Sequence, residues 1–168
     1  QFAALGVTHI RLTGGEPLVR PQLHKLVAAI RAVPGIQRIT LTTNGILLSQ
    51  QLPQLLEAGI DGVNISLDTL DRQQFAAITR RDLLLETLSG LEVALGVPGL
   101  TVKVNCVPTE ANRDQLVPLA ALAKDRDLSV RFIEMMPIGL GRNLGRLTQE
   151  EVLAQLTDAF GAALDCPP

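Results

Sequence analysis

The sequence predicts an α/β fold: a partial (β/α) TIM-type barrel of parallel strands, with helices outside and a polar ligand space inside. Three observations carry this expectation. Strand-like and helix-like segments alternate along all 168 residues, the pattern of parallel βαβ units. Within each strand-like segment, one side-chain parity is apolar and the other polar. The polar parity also carries the cations Arg11, Lys103 and Arg131.

The elements follow in order. The opening "QFAALGVTHI" reads as the last turns of a helix closed by Gly6, and without an initiator Met the chain is expected to begin inside a larger protein. "THIRLT" is a β-branched, apolar run and forms the first strand. Pro17 and Pro21 bound the start of a helix over residues 21–33. "RITLTT" is the second strand, followed by a helix over 49–58 that stops at "AGIDG". "GVNISLD" is the third strand, and helices over 71–78 and 82–96 return the chain to a fourth, "LTVKVNCV". A helix over 112–126 leads to the fifth strand, "LSVRFIEM". The last helix, 148–161, has Thr148 as N-cap, with Glu150 and Glu151 in the first turn, where the helix dipole favours acids. No low-complexity linker interrupts the series, so residues 1–168 read as one domain.

The strand parity separates two faces. One reads Ile10, Leu12; Ile39, Leu41; Val63, Ile65, Leu67; Val102, Val104, Cys106; Val130, Phe132. The other reads Arg11, Thr13; Thr40, Thr42; Asn64, Ser66, Asp68; Lys103, Asn105; Arg131. A doubly wound sheet carries helices on both faces and would be apolar on both. A closed eight-stranded barrel fills its interior with branched apolar side chains. A curved parallel sheet with helices on one side and a wet concave face fits better. Three cations in that concavity call for an anionic ligand. Lys103 has a plainer reading as a structural ion pair with Asp68.

Composition excludes several classes. Hydrophobic residues make up 46% of the chain, with no Trp, no Tyr and 4 Phe, so the core is aliphatic. A net charge of -2 and the lack of a basic block argue against a nucleic-acid partner. No apolar run reaches the roughly 20 residues of a membrane span. Cys106 and Cys166 lie far apart and form no disulfide framework, which fits a reducing, cytoplasmic setting. His9 and His24 have no partner pattern for hydrolytic chemistry or metal binding.

The motifs lie at strand ends. In "RLTGGEP", Gly14 and Gly15 free the main chain from Cβ atoms, and Glu16 places a carboxylate where parallel sheets bind ligands. Carbonyls and an acid there suit an ammonium group. A phosphate would want the opposite, and no GxxxxGK[ST] or GxGxxG spacing occurs. "LTTNG" adds an inward Thr42, "NISLD" three polar side chains on one face, and "RFIEMMP" Arg131 followed by Met135 and Met136.

Together, "RLTGGEPLVR", "TTNG", "NISLDTLD", "VKVNCV" and "RFIEMMPIG" resemble the GTP 3′,8-cyclase family of radical S-adenosylmethionine (SAM) enzymes over essentially the whole chain. The resemblance implies a partial (β/α) barrel. It also implies a radical rearrangement of GTP, begun by an adenosyl radical that abstracts a ribose hydrogen, in molybdenum cofactor biosynthesis. It places Gly14, Gly15, Glu16, Ser66 and Met136 at SAM, and Arg11, Thr42 and Lys103 at GTP. Arg131 becomes an active-site arginine, the candidate catalytic residue. The implied partners are the small molecules GTP and SAM, and the implied cofactors are SAM and [4Fe-4S] clusters. The family's CxxxCxxC motif and its C-terminal cysteines are absent, so no residue here is expected to ligate metal, and the chain is expected to be an inactive piece of a parent enzyme. An exposed sheet edge would favour a homodimer. Two other readings stand beside this one. A radical SAM enzyme acting on peptides should lack the set Arg11, Lys103 and Arg131. A non-catalytic truncated homologue would have its own start codon.

Overall fold

The computed structural model describes residues 1–136 and 145–164. Five strands, β1 (His9–Leu12), β2 (Arg38–Thr43), β3 (Gly62–Ser66), β4 (Thr101–Cys106) and β5 (Leu128–Phe132), form one sheet in the order β1-β2-β3-β4-β5. Every neighbouring pair is parallel. The connections carry α1 (Leu23–Arg31), α2 (Leu48–Glu57), α3 (Arg72–Thr79), α4 (Leu84–Leu95) and α5 (Leu116–Ala121), and α6 (Gln149–Phe160) follows β5.

The predicted parity is the organising feature. Ile39, Leu41, Ile65 and Val104 are wholly buried. Each of the six helices adds residues to the same cluster, among them Val27, Leu52, Phe75, Leu91, Leu119 and Val152. All described helices therefore lie on the apolar side of the sheet. A fully buried aliphatic side chain contributes about 1.5–3 kcal/mol, so this layer is the main source of stability. On the other face Arg11 and Ser66 are exposed, and Thr40, Thr42, Lys103 and Arg131 are half-buried. The architecture is an open, partial barrel, as predicted.

Polar latches fix the connections. Asp61, before β3, pairs with Arg31 at the end of α1 and accepts Ile39 N–H at 2.6 Å. Arg31 also donates to the Gly59 carbonyl. Thr148 caps α6, as the sequence implied, and Glu151 in turn accepts from the Thr148 N–H to complete a reciprocal capping box. The N-terminal helix end is a single 3₁₀ turn, Ala3–Leu5, closed by Gly6 at φ 90°.

The helix expected over 112–126 differs most. It is a 3₁₀ turn, Glu110–Gln115, followed by the short α5. Asn112 leaves helical geometry (φ -125°, ψ 21°) because its side chain is engaged elsewhere. Its Oδ1 accepts Thr109 N–H and Oγ1–H, and its Nδ2 donates to the Asp68 and Val107 carbonyls. None of the described helices is long and apolar enough to cross a membrane.

Candidate functional site

The polar face divides into a mouth at the C-terminal ends of the strands, a middle layer, and a floor near their N-terminal ends. At the mouth the chain leaves β1 through Gly14 and Gly15. Gly14 has φ 152°, which disfavours other residues. Gly15 has no such conformation, and a Cβ there would meet nothing within 4 Å. Neither contact nor backbone strain within the protein requires a glycine at 15, and the space beside it opens to the mouth.

Glu16 is held by protein groups. It caps the 3₁₀ turn Pro17–Val19 by accepting Leu18 N–H at 3.0 Å. Its other bonds reach the TTNG corner, from the Thr43 hydroxyl at 2.7 Å and Asn44 N–H at 2.7 Å. That corner is itself rigid. Gly45 N–H donates to Thr43 Oγ1, Ile46 N–H to Asn44 Oδ1, and the Thr87 hydroxyl to the Asn44 carbonyl. The carboxylate thus joins the two strand-end turns. Glu16, Asn44, Ser66 and Asp68 line a cavity of about 360 Å³, walled on its apolar side by Phe75 and Ile78. Two carboxylates, the hydroxyl residues Ser66, Thr69 and Thr79, and one cation, Arg81, beside an apolar wall suit a ligand with a charged polar end and a flat apolar part.

Asp68 also borders a larger groove of about 780 Å³ with Ile78, Asn112 and Met135. Burial raises its pKa, opposed by the hydrogen bond it accepts from Val107 N–H. The plainer reading of Lys103, an ion pair with Asp68, is not met among the described residues. Lys103 pairs in register with Asn64, four residues below Asp68, and four residues of strand span about 13 Å.

In the middle layer Arg131 is held by neutral acceptors. Its Nε and Nη2 donate to Asn105 Oδ1 at 3.0 and 2.7 Å, and Nη2 to Asn64 Oδ1 at 2.9 Å. Asn64, deeply buried, anchors in turn to the Leu41 carbonyl. Burial lowers the pKa of Arg131, and the nearby charge of Arg11 lowers it further. The guanidinium is oriented but not neutralised. Thr42 stands beside Asn64 in register.

The floor is a cavity of about 370 Å³ lined by His9, Arg11, Arg38, Thr40, Asn64 and Lys103, among others. No carboxylate lines it, and no described acid forms a salt bridge with Arg11, Arg38, Lys103 or Arg131. The structure thus groups Glu16 with Ser66 just past the two glycines, and Arg11 with Lys103 beneath Arg131. Met136 joins neither group and is 69% exposed. Sequence reasoning passed over Arg38 and Asn112. Arg38 carried a usable signal, since it shares the polar parity of Thr40 and Thr42. Asn112 carried none, because its role is long-range.

Thiolates hold iron–sulfur clusters, and these residues do not provide such a set. Among the described residues no three His, Cys, Asp or Glu side chains gather. Cys106 faces the helix layer, and burial, with the charge of Asp68 next, pushes its thiol up to about 12. Cys166 lies outside the described residues.

A parallel sheet with one helix-covered face, an acid-bearing mouth and a basic floor defines a partial-barrel core with two regions of different charge on its concave face. The chain belongs to the radical SAM superfamily, whose family model matches residues 1–123. It is 44% identical to a GTP 3′,8-cyclase of Chlorobaculum tepidum over 95% of this chain and 49% of that protein. It is 42% identical to the molybdenum cofactor biosynthesis protein moc-5 of Caenorhabditis elegans over 95% of the chain and 27% of that protein. The chain spans about half the length of the bacterial relatives it matches. Among solved structures, a domain of a pyruvate-formate lyase-activating enzyme from Bacteroides vulgatus aligns with TM-score 0.64 at 16% identity, covering 91% of this chain and 93% of that one. The coproporphyrinogen III oxidase HemN of Escherichia coli, described as a radical SAM enzyme, aligns with TM-score 0.64 at 15% identity, covering 91% of this chain and 40% of that one. At such identities the likeness is one of fold.

Proposed function

We propose that these residues are the ligand-cradling part of a GTP 3′,8-cyclase, with SAM at the mouth and GTP across the middle layer and floor. One observation carries the reading: the mouth sets two carboxylates beside a single arginine, Arg81, whereas the floor holds cations with no carboxylate among its lining residues. SAM presents an ammonium and a sulfonium. GTP presents a triphosphate. The two sets of charges match the two regions.

In this reading Gly14 and Gly15 leave room for the amino-acid end of SAM, and Glu16 holds their turn against the TTNG corner. Ser66 offers a hydroxyl to SAM at the mouth, and the family resemblance assigns the exposed Met136 to the adenine side. Arg11, Thr42 and Lys103 take GTP, and Arg131, aimed by Asn64 and Asn105, stands in the active site near SAM or the GTP phosphates. Bound SAM would supply the radical that begins the family's chemistry, and the iron–sulfur cluster this requires would need thiolates that the described residues do not gather. The chain alone is then an inactive portion of the enzyme.

The test is an anaerobic incubation of the full-length protein containing these residues, reconstituted with iron and sulfide, with SAM and GTP. Formation of 5′-deoxyadenosine and a cyclised GTP is expected. Failure to form either product rejects the reading.

A further inference from the structure

We propose that Arg38 is an anion-binding arm laid across the floor, receiving the terminal phosphate of a polyphosphate. The position of the side chain is the first argument. Arg38 opens β2, yet its Nη2 donates to Thr101 Oγ1 at 2.8 Å, and Thr101 opens β4. Between the two strands lies β3, whose residue at this level is Gly62, in register with Thr40 on one side and Thr101 on the other. A Cβ at Gly62 would lie 2.8 Å from the Thr101 carbonyl and 3.5 Å from the Thr40 methyl. The glycine leaves the floor bare where the arginine crosses it.

Charge is the second argument. A guanidinium has five N–H donors. Thr101, a neutral hydroxyl, is the one side-chain acceptor found for Arg38 among the described residues. The remaining donors share a half-buried, acid-free cavity with Arg11 and Lys103. Three clustered cations without a counter-charge repel one another, and a multivalent anion relieves that repulsion. The arm and Lys103 approach the cavity from different strands, so the anion they fit is elongated and multiply charged. Burial at the floor strengthens such contacts relative to open water.

The arm rests on the nucleotide reading only for the identity of the anion, so the experiment uses an anion without a nucleoside. Inorganic tripolyphosphate is titrated into the isotopically labelled 168-residue chain at low salt, and the arginine Nε–H signals are followed by NMR. The expected result is weak, salt-sensitive binding that moves the Arg38 signal. Arg38→Gln should weaken it about tenfold, as loss of a charged hydrogen-bonding contact does, and Arg38→Lys by less. Backbone amide spectra report whether each variant is folded, and Arg38→Lys decides if Arg38→Gln is not. The proposal is overturned if the wild-type chain binds no tripolyphosphate, or if a folded variant binds it as tightly as wild type. Guanosine and GTP titrations separate the two claims. Cyclase failure with tripolyphosphate binding intact would sink the nucleotide reading alone. Unchanged GTP affinity in a folded Arg38→Gln chain, with the cyclase active, would sink the arm alone.

Discussion

Replacing Glu16 with Gln tests whether its carboxylate works as a latch between the GGEP turn and the TTNG corner. Gln has the same shape and keeps one carbonyl oxygen. That oxygen can still accept from Leu18 N–H and the Thr43 hydroxyl, the two donors that share Oε1. The amide NH₂ then faces Asn44 N–H, where Oε2 accepts at 2.7 Å. Two donors meet and one charged hydrogen bond is lost, which costs about 1.5–3 kcal/mol. In a domain of this size each kcal/mol lowers Tm by about 2–4 °C, so a fall of about 3–12 °C follows. Circular dichroism melts measure it, and hydrogen exchange at the Asn44 amide localises it. A Tm within about 1 °C of wild type, with Asn44 protection unchanged, would refute the latch. The assay needs no ligand, so it separates holding the turn from touching SAM.

Three further outcomes follow from the same structure. Gly90→Ala, in α4, would ordinarily stabilise a helix by up to about 1 kcal/mol, but the new Cβ would sit 2.4 Å from the Gly45 carbonyl. Net destabilisation of about 1–3 kcal/mol is expected from urea titration, and a gain in stability would contradict the packing of α4 on the TTNG corner. Burial raises the Asp68 pKa, so folding favours its protonated form. Its contribution is fully present below the unfolded carboxylate range and is lost as pH rises through the folded value. Asp68→Asn should therefore be relatively more stable than wild type at neutral pH than under acid, and equal differences at both would oppose the assignment. Cys106, with its thiol pushed up to about 12, should resist alkylation at pH 8 in the folded chain and react once unfolded. Peptide mapping by mass spectrometry reads this directly, and rapid labelling of the native residue would place it elsewhere than the core.

The fold was legible because period two is a strong signal and this sheet keeps it in all five strands. Ile39 and Leu41 against Thr40 and Thr42 already specify which side receives helices. The failures arose where side chains bond across long sequence distances. Asn112 serves Asp68, 44 residues away, and no helical periodicity reports that, so the segment read as one long helix. Leu67 N–H still pairs with the Asn105 carbonyl, but Asp68 turns toward Val107, and the strand ends earlier than its apolar pattern implies. Parity placed Lys103 and Asp68 on one face and suggested an ion pair. It gave the face but not the height along it. Glu16 was legible as a carboxylate at the mouth, yet its three protein donors depend on where the TTNG corner folds back. Arg131 was found by parity, and its neutral holders Asn64 and Asn105 stood in the same strands, two and one removed.

Because strand order equals chain order, each βα unit borders only the units next to it in sequence. Each parallel pairing must still close a helical crossover, but the arrangement leaves the sheet held mainly by nearest-neighbour seams. The lumen groups break that locality. Arg38 reaches from the second strand to the fourth, and Arg131 from the fifth to the third. A ligand touching Arg11, Lys103 and Arg131 would span the whole width of the sheet, and so would act as a transverse tie, turning a row of separable units into a single cooperative body.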